Sequence, residues 1–140
     1  MRSWLSSVST QEYMKFQPGR CGYTHFLDHD GRIIDDMIFA VSSESEVLGV
    51  PNSTMVGIMF QWLSDQLPSD GSVTILDVSD ETSIIALQGP LSGKIISEVL
   101  GFDNDVGVFR CQEIEQNELG ISGWIQGTGY TGEAGVEIFV

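Results

Sequence analysis

The sequence predicts an α+β fold: mainly antiparallel sheets with flanking helices. Three observations lead there. The β-prone runs come in pairs joined by short polar turns. Only two stretches carry apolar residues at three- and four-residue spacing. Those stretches interrupt hairpins and do not alternate with single strands, giving an order β-β, β-α, β-β, α, β-β-β. Hairpins interrupted by helices point away from a doubly wound fold.

In chain order, residues 1–19 read as a mixed, partly helical lead-in that ends at the turn Gln17-Pro18-Gly19. Gly22–Leu27 and Arg32–Val41 flank Asp28-His29-Asp30-Gly31 and read as a hairpin. Val47–Val50 is a short strand. Pro51-Asn52-Ser53-Thr54 then opens a helix with Asn52 or Ser53 as its N-cap. Met55, Val56, Ile58, Met59, Trp62, Leu63 and Leu67 form its apolar face, and Pro68 and Gly71 end it. Val73–Val78 and Ser83–Leu87 read as a second strand pair across 79–82. Gln88-Gly89-Pro90 turns into a second helix that buries Ile95, Ile96, Val99 and Leu100 and stops at Gly101. After the acidic loop Asp103–Asp105, strands are expected near Val106–Ile114, Leu119–Gly127 and Val136–Val140.

At 140 residues and 41% hydrophobic content, the chain is long enough to bury a real core. No internal repeat, low-complexity tract or linker divides it, so 1–140 reads as one region. The chain stops within an apolar strand, which points to a piece of a longer protein, incomplete at both ends. Twenty Asp and Glu against six Lys and Arg give a net charge of −14. That balance argues against nucleic acid and anionic membranes as partners. It also produces self-repulsion that salt would relieve. No apolar run approaches the roughly 20 residues of a bilayer span. The start lacks the apolar stretch of a secretory signal, so the expected location is cytoplasmic. Cys21 and Cys111 form no Cys-x-x-Cys pair, and His25 and His29 flank a turn, so no metal site is expected.

Two stretches carry chemistry. In the second hairpin strand, Asp35 and Asp36 must point to opposite faces, so at least one lies near the core side. A buried carboxylate is costly unless it is hydrogen-bonded, and such groups cluster at functional sites. A bulge or sheet edge that lets both reach water is the other reading. Near the end, Gly129-Tyr130-Thr131-Gly132-Glu133-Ala134-Gly135-Val136-Glu137 alternates glycines with an aromatic residue and carboxylates. It reads either as a ligand loop on a rigid scaffold or as a tight hairpin.

Five pieces in register resemble the folate-binding aminomethyltransferase family of the glycine cleavage system. They are Tyr23-Thr24-x-Phe26-Leu27, Gly31-x-Ile33-Ile34-Asp35-Asp36, Val50-Pro51-Asn52, Ala86-Leu87-Gln88-Gly89-Pro90 and Gly129-Tyr130-Thr131-Gly132-Glu133-x-Gly135-x-Glu137. The resemblance implies a three-domain cloverleaf of which this chain covers most of the first two domains. It implies that tetrahydrofolate binds in a central channel and accepts a methylene group. The donor is the aminomethyl-lipoyl arm of the lipoylated H-protein, and ammonia leaves. The family's catalytic aspartate falls on Asp36, which also contacts the folate, and Asp35 is the structural member of the pair. Its pterin contacts fall on Asn52, Tyr130 and Glu137, with Tyr23 matching a folate-contacting tyrosine. A carboxylate at Glu137 suits the N–H edge of a pterin, which presents donors as guanine does. Two further members of the superfamily share parts of this pattern: the folate-binding portion of a sarcosine or dimethylglycine dehydrogenase or related demethylase, and a non-enzymatic iron–sulfur assembly factor. The second carries a Lys-Gly-Cys loop where this chain has Thr128-Gly129-Tyr130.

Overall fold

The computed structural model describes residues 1–101, 106–116 and 120–140. The chain forms two compact units, Met1–Asp77 and Val78–Val140. Both are built from antiparallel sheet with helices, so the fold class is α+β.

In the first unit, helix α1 (Arg2–Val8) and a single 3-10 turn (Tyr13–Lys15) precede strands β1 (Arg20–Leu27), β2 (Ile33–Val41) and β3 (Val47–Pro51). A second 3-10 turn (Ser53–Met55) leads into helix α2 (Val56–Asp65). The strands form one sheet in the order β1-β2-β3. The β1–β2 turn closes as its residues dictate. Asp28 Oδ1 accepts from the backbone N–H groups of Asp30 and Arg32 at 2.9 and 2.8 Å, and Gly31 adopts a φ of 80°.

Alternation then sorts the sheet. Phe26, Met37, Phe39 and Val41 lie on one face and pack with Leu5, Tyr13, Met59 and Leu63 into the core of this unit. Met59 and Leu63, four residues apart, are the part of the predicted α2 stripe that is buried, while Ile58 is exposed. Tyr13 donates its hydroxyl to the Gly22 carbonyl at 2.8 Å, and burial raises its pKa well above the ordinary tyrosine value. It therefore stays a neutral donor at any physiological pH.

The expected strand at Val73–Val78 does not form; a 3-10 turn (Ser79–Glu81) follows it. Its period-2 pattern is nonetheless reflected in burial. Val73 is buried and Ile75 packs against the first core, whereas Thr74 and Leu76 face solvent. The segment is anchored by side chains and joins no strand ladder among the described residues.

In the second unit, strand β4 (Ile84–Gln88) is followed by helix α3 (Ser92–Leu100), then β5 (Cys111–Ile114), β6 (Gly123–Gln126) and β7 (Gly135–Phe139). The sheet order is β4-β7-β6-β5, with every pair antiparallel. Ile114, Ile125, Val136 and Ile138 on one face meet Ile96 of α3 and Val106 in a second, aliphatic core. The helix ends at Gly101 in the left-handed conformation, as the sequence predicts. Of the four apolar residues expected on its buried side, Ile96 is buried and Leu100 packs beside it, while Ile95 and Val99 are exposed. Two i, i+4 stripes were available, and the one containing Ile96 and Leu100 faces the sheet.

The last strands are shorter than expected: Val108 makes only an isolated parallel bridge to Gly127. Leu119 and the acidic loop Asp103–Asp105 lie outside the described residues. Among the described residues no helix is long and apolar enough to cross a membrane.

Candidate functional site

The aspartate pair divides across the first sheet as alternation requires. Asp36 is opposite His25, and Asp35 is opposite Phe26. The register slips between Phe26 and Leu27, leaving Ile34 as the extra residue of a bulge. The bulge does not bring Asp35 to water. It is 7% exposed, on the face that carries Phe26 and Met37, whereas Asp36 is half-buried on the other face. That second face also presents Tyr23, opposite Ile38, with its ring edge-on to His25 at 5.0 Å. The structure thus sets Tyr23, His25 and Asp36 side by side.

Asn52 ties the pair together. It sits at the N-cap of the 3-10 turn that starts the α2 region, but its side chain makes no cap hydrogen bond. Instead Nδ2 donates to Asp35 Oδ1 at 2.8 Å and to the Asp36 carbonyl at 3.2 Å. The amide nitrogen of Asn52 is thus turned to the aspartate pair. Asp35 Oδ2 is buried without a hydrogen-bond partner.

In the second unit, Glu137 lies opposite Gln126 on the sheet face away from the aliphatic core. It is 7% exposed, and both of its described side-chain hydrogen bonds fall on one oxygen: Gln126 Nε2 and Thr128 Oγ1 each donate to Oε2. No described basic side chain pairs with it. The carboxylate is therefore held in orientation by neutral donors. Tyr130 is 81% exposed on the connection between β6 and β7.

That connection is clamped by a residue the sequence reading left without a role. Gln88, at the end of β4, donates from Nε2 to the carbonyls of Thr128 (3.2 Å) and Val136 (2.8 Å). Its Oε1 accepts from Thr131 Oγ1 at 3.0 Å. Gly89 N–H and Ser92 Oγ reach the Ala134 carbonyl at 2.7 and 3.3 Å. The Gln88-Gly89-Pro90 piece and the glycine loop, forty residues apart, are one construction. Both motifs stand in the sequence, but nothing local says that they touch.

The glycines fit the clamp. Gly132 takes a φ of 72°, and a Cβ on Gly135 would lie 2.5 Å from the Leu87 carbonyl oxygen and 2.7 Å from Gln88 Cα. Backbone cannot step aside as a flexible side chain can. Gly135→Ala is expected to lower unfolding free energy by about 1–3 kcal/mol, read by denaturant unfolding. An unchanged midpoint would mean that the close approach relaxes at no cost. Among the described residues no cluster of three His, Cys, Asp or Glu side chains is placed to hold a metal ion.

Comparison with known proteins identifies the family. The family model for the GCVT N-terminal domain matches residues 1–140. An aminomethyltransferase of Geobacillus kaustophilus is 32% identical over 98% of this chain and 37% of its own length. Another, of Pelodictyon phaeoclathratiforme, is 35% identical over 98% of this chain and 38% of its own. The chain thus spans a little over a third of the curated relatives it matches. The crystal structure of glycine cleavage system aminomethyltransferase T from Bartonella henselae superimposes with a TM-score of 0.78. It covers 99% of this chain and 36% of that one at 23% identity, a likeness of fold. With a family model matching from the first residue to the last, this chain belongs to the GCVT N-terminal domain family.

Proposed function

We propose that the protein carrying this chain is a tetrahydrofolate-dependent aminomethyltransferase of the glycine cleavage system. It moves a methylene group from the aminomethyl-lipoyl arm of the lipoylated H-protein to tetrahydrofolate, with release of ammonia. The observation that carries the reading is Glu137, a buried carboxylate oriented by Gln126 and Thr128 with no described basic side chain paired to it. A carboxylate fixed in this way is an acceptor for a pair of N–H donors, which the pterin edge of a folate presents. Tyr130 offers a ring with a polar tip, and so does Tyr23 in the first unit. Asn52 is a further pterin contact in this reading. Asp36 holds and polarises the folate amine that attacks the donor carbon, an effect of orientation more than of acid strength. The folate supplies the one-carbon chemistry.

Relatives named aminomethyltransferase favour this over a dehydrogenase, a demethylase or an iron–sulfur assembly factor. In this reading the enzyme works in the cytoplasm, with no nucleic acid or membrane partner. The test is titration of the full-length protein with tetrahydrofolate, followed by tryptophan fluorescence. Binding should be saturable, and Glu137→Ala should weaken it by about 1–3 kcal/mol. A folded wild-type protein that binds no tetrahydrofolate overturns the proposal, and unchanged affinity in the variant removes Glu137 from it.

A further inference from the structure

The connection between β6 and β7 is folded around a side chain from a third strand. The β6–β7 ladder ends at Gln126 opposite Glu137. Beyond that point the two strands part, and Gln88 of β4 holds them. Gln88 lies opposite Gly135 of β7, and its side chain crosses that glycine to reach the Thr128 carbonyl. The crossing requires the glycine, since a Cβ at 135 would lie 2.8 Å from Gln88 Cδ. A Cβ at Gly129 would lie 2.5 Å from Gln88 Oε1 and 2.7 Å from Nε2. The carboxamide is thus enclosed between glycines at the two ends of the loop.

The hydrogen bonds of that carboxamide bracket one residue. Nε2 donates to the Thr128 carbonyl at 3.2 Å, and Oε1 accepts from Thr131 Oγ1 at 3.0 Å. Thr128 and Thr131 stand on either side of Gly129-Tyr130. A single planar group therefore holds the chain both before and after the tyrosine. The bond from Nε2 to the Val136 carbonyl, at 2.8 Å, ties the same group to the start of β7. Tyr130 is 81% exposed, so the core of the unit does not set its direction and the backbone that carries it does. We propose that Gln88 is a positioning residue for Tyr130: its carboxamide fixes the loop in the shape that presents the tyrosine ring to the pterin. This rests on the folate reading above and deepens it. A loop already ordered loses little further freedom when the ligand arrives, whereas ordering a loose one lowers affinity. Gln88 itself touches no ligand and acts through Tyr130.

The test is a double-mutant cycle on the full-length protein: wild type, Gln88→Met, Tyr130→Ala and the double variant, each titrated with tetrahydrofolate at a temperature where it is folded. Gln88→Met keeps the length of the side chain and removes its hydrogen bonds. It should raise Kd by about tenfold beside Tyr130 and by less than about threefold where residue 130 is already alanine. A side chain that only stabilises the fold would lower the unfolding midpoint and leave the Kd of the folded protein unchanged, and that result overturns the proposal. So does a loss of affinity that is the same with and without Tyr130. Should Gln88→Met fail to fold, Thr131→Val takes its place, since it breaks the bond to Oε1 at an exposed position. Its loss of affinity should likewise disappear in the Tyr130→Ala background, and a loss that persists there, or no loss at all, overturns the proposal. A folded wild-type protein that binds no tetrahydrofolate refutes the folate reading itself, and this inference with it.

Discussion

Asp36→Asn is expected to slow methylene transfer by at least about a hundredfold while changing tetrahydrofolate affinity by less than about threefold. The substitution keeps the shape of the side chain and removes its charge. It should not disturb the strand, because Asp36 is half-buried and its described hydrogen bond with Asn52 is accepted by its main-chain carbonyl. The face it occupies with Tyr23 and His25 is unchanged by the swap. What is lost is the anion that orients and polarises an attacking amine. The measurement is single-turnover transfer with saturating folate, alongside a binding titration. Near-normal turnover would remove Asp36 from the chemistry. A loss of binding equal to the loss of rate would make it a ligand contact and nothing more.

Asp35 is the internal control. It adjoins Asp36 and carries the same charge, but it is 7% exposed on the face with Phe26 and Met37 and is held by Asn52. Neutralising it should act on stability before it acts on rate. The two aspartates can therefore be told apart by which observable moves.

Much of this was legible in the chain. The β1–β2 hairpin followed from Asp-x-Asp-Gly between alternating runs, because the turn is built by Asp28 and Gly31 from within four residues. The opposite facing of Asp35 and Asp36 needed only the period of a strand. The helix from Val56 was legible from its stripe, and Gly101 from its place after α3. What failed was pairing. Val73–Val78 alternates like a strand, yet a strand is completed by a neighbour, and local sequence does not say whether one is there. The side of α3 that faces inward was ambiguous for a related reason: Ile95 and Val99 are as apolar as Ile96 and Leu100, and the sheet chooses between them. Capping chemistry pointed to Asn52 for a helix start, which is where it sits, but its amide is drawn to the aspartates. A short polar side chain can satisfy either demand. The contacts of Gln88 with the glycine loop and of Gln126 with Glu137 span long separations, and residue type alone does not reveal them.

Asn52→Ala is expected to lower unfolding free energy by about 3 kcal/mol, more than an ordinary polar truncation. The reason lies in what it leaves behind. Asp35 Oδ2 already has no partner, and Oδ1 accepts its hydrogen bond from Asn52 Nδ2 at 2.8 Å. Removing the amide leaves a buried carboxylate with neither oxygen satisfied by these contacts, beside Phe26 and Met37. It also releases the Asp36 carbonyl, to which the same nitrogen donates at 3.2 Å. The cost should therefore depend on the charge of Asp35. In a double-mutant cycle with Asp35→Asn, the Asn52→Ala penalty should shrink by about 1–2 kcal/mol, because a neutral amide is cheaper to leave unpaired than an anion. Equilibrium denaturation of the four proteins reads this directly. Turnover should fall in Asn52→Ala even at temperatures where the variant is fully folded, since the strand segment that aims Asp36 loses its tie. A stability loss below about 0.5 kcal/mol would put the variant in the range of a surface change and would mean that Asp35 finds other donors in solution. Normal turnover in a destabilised variant would separate the two roles, leaving Asn52 to hold the fold and the β2 strand alone to aim Asp36.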